Sequence, residues 1–135
     1  MRRDPLDAVF SSLVRERADW NCEVCGLNFR SNPIGLHASH CFGRIRRSVR
    51  WDPDNAAAHC AADHLRLGAS PLDMSEWFLD HLGEDRTAAL RIRAGKPIKL
   101  SKPQKADLLA HYRSELKRLK ALRDEGRRGR IEFSA

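Results

Sequence analysis

The stretch from His37 to His64 holds most of the side chains that could do chemistry. It reads HASHCFGRIRRSVRWDPDNAAAHCAADH and contains four of the six histidines and two of the four cysteines of this 135-residue chain. Imidazole and thiolate groups bind metal ions, and guanidinium groups pair with phosphate oxygens. This density of metal-binding and phosphate-binding groups predicts the active site of a small metal-dependent nuclease, with the rest of the chain bracing that site or gripping DNA.

Hydrolysis of a phosphodiester needs three contributions. A base must activate water, a cation must offset the charge of the scissile phosphate, and the leaving oxygen must be shielded. The predicted order of strand, loop, strand and helix can supply such groups. His40 would leave the first strand, Asn55 would precede the second, and His64 would project from the helix.

An arginine run lies between the two predicted strands and is too polar to be core. Its members are Arg44, Arg46, Arg47 and Arg50. We expect an exposed loop that clamps phosphate, since guanidinium forks match phosphate oxygens in pairs. A solvated loop with no ligand is the alternative.

A separate pair of cysteines, Cys22 and Cys25, is followed directly by Gly26. A Cys-x2-Cys turn closing on glycine is typical of a zinc knuckle, because the turn aims two thiolates at one point and glycine relieves the backbone. A redox pair is the rival interpretation, but the strand–helix pattern that it needs is missing. Zinc requires two more ligands, and buried thiols without metal remain an alternative.

The remaining elements must position these groups, and the sequence predicts an α+β fold. Asp4 and Pro5 begin a first helix, whose apolar face predicts packing and no chemistry of its own. A hairpin is predicted from about 34–40 and 56–59. Further helices are predicted over about 60–68, 70–82, 84–93 and 103–124.

Charge is unevenly distributed along the chain. Residues 1–90 carry 11 Lys and Arg against 13 Asp and Glu, a balance of −2, whereas residues 91–130 carry 14 against 4, a balance of +10. A basic C-terminal segment on a near-neutral body indicates a polyanionic partner such as DNA, although a solvated basic helix would have the same composition. The candidate DNA contacts in this segment are Lys102, Lys105, Arg113 and Lys117.

The last predicted helix also carries a narrow apolar stripe. Its members, at spacings of 3, 4 and 3, are Leu109, Tyr112, Leu116 and Leu119. Such a stripe suits a partner helix and predicts a possible homodimer. The sequence predicts two parts: residues 1–94 as a core with its helices, and residues 95–135 as a linker, a basic helix and a frayed tail from Gly126.

The compartment is predicted from what the chain lacks. No apolar run approaches the ~20 residues of a membrane span, and no membrane partner is expected. The start MRRDPLDAVF has no apolar segment typical of a secretion signal. We expect a cytoplasmic protein, in which four cysteines favour metal binding over disulfides.

Taken together, these motifs resemble the HNH (ββα-metal) endonucleases. The resemblance rests on Cys-x2-Cys, Ser-His, Arg-Trp-Asp-Pro-x-Asn and Cys-x3-His-x2-Leu-Gly, and it covers roughly residues 20–83. The closest similarity is to the phage NinG/Rap recombination nucleases. It implies a small zinc-stapled ββα-metal core with flanking helices, and cleavage of branched DNA such as Holliday junctions and D-loops. A phage-encoded protein would act in the bacterial host cytoplasm.

The resemblance also implies roles for individual residues. His40 matches the general base that activates water. Asn55 matches the asparagine that orients that base or holds the active-site loop. His64 matches the residue that ligates the catalytic cation, Mg²⁺ or Mn²⁺.

A structural zinc is implied as well. Its matching ligands are Cys22, Cys25, Cys60 and Asp63. Asp63 is a departure, since the family has cysteine there, but a carboxylate can ligate zinc. His64 is the alternative fourth ligand, which would remove it from the catalytic cation. Cys41 lies away from these positions and is expected to be buried filler.

Ser39 is a second departure, because many HNH proteins have Asp or His directly before the base. His37 or His59 could complete the metal shell instead, although either could be an ordinary surface histidine. His37 precedes His40 by three residues, so in a strand it would face the opposite side, which argues against it.

Two other classes of function share these features. A zinc-stapled DNA-binding module would use the cysteines and the basic helix but would have no use for His40. A protein-interaction adaptor acting through the last helix would show no salt-dependent binding to DNA.

Overall fold

The hairpin and short helix that the sequence predicts are present. The computed structural model describes residues 3–135. Strands β1 (Leu36–His40) and β2 (Ala56–Cys60) pair antiparallel, with Leu36 opposite Cys60 and His40 opposite Ala56. Helix α2 (Ala61–Gly68) follows β2 directly. The predicted order of strand, loop, strand and helix is therefore confirmed, and so is the α+β class.

Four further α-helices complete the described part of the chain. They are α1 (Pro5–Arg17), α3 (Pro71–Leu82), α4 (Glu84–Ala94) and α5 (Lys102–Asp124). Their starts follow local signals: the Asp4 side chain accepts the Leu6 N–H at 2.9 Å, and Ser101 forms a reciprocal capping box with Gln104. Such caps satisfy backbone donors that the first turn leaves unpaired.

Alternation along β1 gives the hairpin two different faces. Leu36, Ala38 and His40 point towards α1, where the ring of His40 lies 6.0 Å from that of Phe10. The other face carries His37 and Ser39, which contact α2 and α3. Successive side chains of a strand point to opposite sides, so this division follows from the regular register.

Helix α1 is fixed to the start of β2 by a buried arginine. Arg17 is only 1% exposed, and its guanidinium donates to the carbonyl oxygens of Pro53 at 2.8 Å and Ala56 at 2.6 Å. Burial lowers the pKa of Arg17 to about 10. Carbonyl acceptors replace part of the lost hydration, which is what a buried polar group requires.

Helix α5 packs along α1 within the same chain. Tyr112 and Leu119 are fully buried in the main hydrophobic cluster, and Leu109 and Leu116 pack against it. The Tyr112 hydroxyl donates to the Trp51 carbonyl at 2.5 Å. The apolar stripe that predicted a dimer seam is thus covered by the chain's own first helix, so it no longer argues for a homodimer.

The C-terminal tail is packed, and the prediction of a frayed end is wrong. Ile131 and Phe133 are each only 5% exposed and belong to the same cluster as α1 and α5. The Ile131 N–H donates to the Arg17 carbonyl at 3.1 Å, and the Gly129 N–H donates to Asp19 at 2.9 Å. Burial of two apolar side chains offsets the entropy lost in ordering this segment.

Helices α3 and α4 form a second, smaller cluster on the other face of the hairpin. Phe78, Leu82 and Leu90 pack there with Val49 and Ala57. None of the helices in residues 3–135 combines the length and the apolar content needed to cross a membrane.

Candidate metal centre and active site

The Cys-x2-Cys segment forms a tight turn pinned to the hairpin. The Gly26 N–H donates to the Cys22 carbonyl at 2.8 Å, and Gly26 has a φ of 78°, which favours glycine. The Glu23 N–H donates to the Ala58 carbonyl at 2.8 Å. The turn therefore holds its two thiols beside the end of β2.

Four predicted zinc ligands converge at this point. The ligating atoms of Cys22, Cys25, Cys60 and Asp63 all lie within 4.8 Å of one another. Asp63 Oδ2 lies 3.1 Å from Cys60 Sγ and 3.4 Å from Cys22 Sγ. Asp63 stands in the first turn of α2, three residues after Cys60, so the helix aims its carboxylate back at the thiols.

The chemistry of this cluster fits a metal ion such as Zn²⁺. Burial raises the pKa of the Cys60 thiol to about 12, and hydrogen bonds to Asp63 and Cys22 contribute. A hydrogen bond from Cys60, and a weaker one from Cys22, lower the pKa of Asp63. A cation would replace the thiol protons, and three thiolates with one carboxylate make a tetrahedral donor set that zinc accepts.

His64 points away from the thiols towards another imidazole. Its Nδ1 lies 3.0 Å from Nδ1 of His37, with the two rings nearly perpendicular. Burial and the neighbouring His37 lower the pKa of His64. The geometry thus joins Asp63, and not the alternative His64, to the sulfur cluster.

His40 and His64 occupy opposite faces of the hairpin. His64 contacts His37, which the strand alternation places on the face opposite His40. The expectation that His37 and His40 face opposite ways is confirmed, but His64 lies on the side of His37. The structure therefore does not bring His40 and His64 into direct contact.

His59 is a core residue, so the expectation of a surface histidine is wrong for it. The side chain is fully buried, with its ring edge-on to Trp77 at 4.4 Å between centroids. Burial lowers the pKa of His59 to about 4, and the nearby His64 contributes. A neutral ring packed among aromatic side chains braces the hairpin against α3.

A cavity of about 210 Å³ opens beside His40. Residues of both faces of β1 line it, including His37 and His40, so the cavity runs along the strand edge that β2 leaves free. The remaining polar lining comes from five side chains: Arg3, Asp7, Ser11, Arg15 and Arg44. An open, positively charged recess next to an imidazole suits an anionic ligand.

The electrostatics keep His40 neutral at neutral pH. Burial, followed by the Arg44 guanidinium, lowers the pKa of His40 below its ordinary value of 6.5, although a backbone hydrogen bond at Arg50 and the Asp7 charge oppose the shift. Burial would raise the pKa of Asp7, but hydrogen bonds from Arg50 and Trp51 outweigh it and lower that pKa. A neutral imidazole can accept a proton, as a general base must.

Asn55 holds the arginine loop. It is fully buried, and its side-chain oxygen accepts the Phe42 N–H at 2.7 Å while its amide donates to the carbonyls of Phe42 at 2.9 Å and Val49 at 3.0 Å. Of the two predicted roles for Asn55, these contacts fit the one that closes the loop.

The candidate DNA-binding side chains fall into two groups. Arg44, Arg46 and Arg47 in the loop are exposed, as are three residues on α5: Lys102, Arg113 and Lys117. Arg50 is instead paired with Asp7 at 2.5 Å, and Lys105 with Asp4 at 3.0 Å. These two paired cations brace α1, which makes them weaker candidates for contacting phosphate.

Helix α1 contributes to the cavity, contrary to the expectation that it only packs. Asp7, Ser11 and Arg15 line the recess. They are spaced four residues apart, so they share one face of the helix. That polar stripe is the signal that could have identified them, although it does not by itself say what the stripe faces.

No protein-family model, no curated protein and no solved structure matches this chain. The candidate site is therefore defined by the chain's own residues and their geometry.

Proposed function

We propose that this protein is a metal-dependent DNA endonuclease of the HNH type. The observation that carries the proposal is the cavity beside β1, which places His40 next to the arginines Arg3, Arg15 and Arg44. On its other side the cavity reaches His37, whose ring contacts His64. A base and a phosphate-binding surface are thus adjacent, with further imidazoles at the rim.

The proposed reaction assigns each group one task. Neutral His40 takes a proton from water as the water oxygen bonds to phosphorus and the bond from phosphorus to the leaving oxygen breaks. The three guanidinium groups hold the phosphate oxygens and offset their charge. A divalent cation ligated by His64 would stabilise charge on the phosphate and the leaving oxygen.

The cysteine cluster serves this site indirectly. A zinc ion there would fix the knuckle, the end of β2 and the start of α2 to one another. Because His64 follows Asp63 directly, the same ion would also set the position of His64 relative to β1. Structural zinc sites contribute folding free energy in small domains, and this core is small.

The resemblance to the NinG/Rap nucleases extends the proposal to branched DNA. The test is to incubate the full chain with linear, nicked and four-way DNA, with and without Mg²⁺ or Mn²⁺. We expect metal-dependent cleavage that is fastest on the four-way substrate. Cleavage of linear and branched DNA at equal rates would remove the branch preference, and no cleavage under any condition would overturn the proposal.

A zinc-stapled DNA-binding module is the second candidate. The position of His40 and His64 on opposite faces of the hairpin favours it, because binding alone does not need them together. It predicts salt-dependent affinity for DNA with no cleavage. The cleavage test above separates the two candidates.

Replacing Arg44 with alanine should shift the pH dependence of cleavage. Arg44 lowers the pKa of His40, so kcat/KM for the wild type should fall only as the pH drops through a value below 6.5. Without that charge the pKa of His40 rises, and the acidic limb should move to higher pH. The pH profile of cleavage and an NMR titration of His40 in the free protein both measure this shift.

Arg46→Ala is the matched control. It removes the same charge from the same loop, but Arg46 does not line the cavity. We expect weaker DNA binding with the acidic limb unchanged. Equal shifts in the two variants would mean that the arginine loop acts on His40 only through its net charge.

A further inference from the structure

The contact between His37 and His64 needs an explanation beyond packing. Two Nδ1 atoms 3.0 Å apart share at most one proton, and both rings are partly exposed, so water could satisfy each of them separately. The contact joins a strand to a helix that the cysteine cluster holds in place. The two nitrogens are therefore held together by the fold.

The spacing suits a shared cation. Imidazole nitrogens bind such metals at ~2.0–2.1 Å, so two ligands at right angles on one ion lie ~2.9 Å apart. The observed separation is 3.0 Å. Nearby Ser39, on the same face, is a poor ligand, and its hydroxyl lies 3.9 Å from the Met74 sulfur. His37 thus stands where a second protein ligand for His64 is needed.

We propose that His37 and His64 together bind a divalent transition-metal cation, separate from the ion of the cysteine cluster. Two neutral imidazoles favour metals such as Co²⁺, Ni²⁺ or Zn²⁺ over Mg²⁺, which prefers oxygen ligands. With two protein ligands, the remaining positions stay open to water and phosphate oxygens. The hydrolytic use of this cation rests on the proposed function, whereas its binding does not.

The location supports an accessible cation. His37 lines the cavity that also contains His40 and Arg44, so a ligand bound there could contact both the cation and the base. His59, directly opposite His37 in the strand register, is turned into the core against Trp77 and walls the site from behind. The pair is thus open on the side of the cavity and closed on the side of α3.

The test is a titration of zinc-loaded full-length protein with Co²⁺. We expect one further equivalent of Co²⁺ to bind, with zinc content unchanged and without the sulfur-to-cobalt absorption that exchange into the thiolate site would produce. NMR signals of His37 and His64 should broaden before those of His111. The variants His37→Ala and His64→Ala should each weaken Co²⁺ binding about tenfold or more.

His111→Ala is the control, since His111 lies on α5 and contacts the Ser134 carbonyl. It should bind Co²⁺ as the wild type does. Absence of a second equivalent, or equal affinity in His37→Ala and wild type, would overturn the inference. If Co²⁺ binds through both histidines but no metal supports cleavage, this site stands and the proposed function fails. If DNA is cleaved while His37→Ala retains full Co²⁺ affinity, the proposed function stands and this site fails.

Discussion

Replacing Cys60 with serine is expected to remove the bound zinc and to abolish cooperative unfolding. Cys60 is buried, and its sulfur lies 3.1 Å from Asp63 Oδ2 and 4.0 Å from Cys25 Sγ, so its loss opens the centre of the cluster. Structural zinc contributes about 10 kcal/mol or more in small zinc domains, which is comparable to the whole stability of a domain of this size. Elemental analysis and thermal unfolding followed by circular dichroism measure both effects.

Cys41→Ser is the matched control for this prediction. Cys41 is a partly buried thiol outside the four-residue cluster. It should retain full zinc content and unfold within about 4 °C of the wild type. If the purified protein holds no zinc, and the two serine variants unfold alike, the cysteines are buried thiols and the metal centre does not exist.

Replacing His40 with alanine is expected to lower the cleavage rate about 10²–10⁴-fold, the usual contribution of a general base. Affinity for DNA should stay within a few-fold, because the exposed arginines of the loop and the basic residues of α5 are unchanged. Single-turnover cleavage and a binding titration at fixed salt concentration measure the two quantities separately.

His111→Ala controls for the loss of an imidazole and should cleave like the wild type. Because the His40 ring lies 6.0 Å from that of Phe10 in the core, thermal unfolding of His40→Ala must be compared with the wild type. His40→Gln, which better preserves the packing, should be equally inactive. Unchanged nicking by either His40 variant would remove this residue from the mechanism.

Features that depend on neighbouring residues could be predicted from the sequence. The start of α1 at Asp4 and Pro5 and the knuckle at Gly26 are set by hydrogen bonds within a few residues. The cluster of Cys22, Cys25 and Cys60 with Asp63 followed from the motif and its resemblance, because ligand spacing fixes where short turns can aim their side chains.

Other features required the packed chain. The stripe containing Tyr112 and Leu119 predicted a partner helix, but burial against a second chain and burial against α1 remove similar apolar area from water. A local pattern cannot distinguish those two partners. The same holds for Ile131 and Phe133, whose docking depends on a groove between elements that lie far apart in sequence.

The sequence by itself determined the kinds of groups this protein has and the order of its elements: a hairpin, a helix, four convergent zinc ligands and a basic C-terminal segment. Only the tertiary structure decided which groups meet. Strand alternation separates His40 from His37, but the register and the anchoring of α2 place His64 beside His37. The packing of α1 along the free edge of β1 then adds Ser11 and Arg15 to the cavity of His40, because side-chain proximity depends on packing between elements and not on spacing within them.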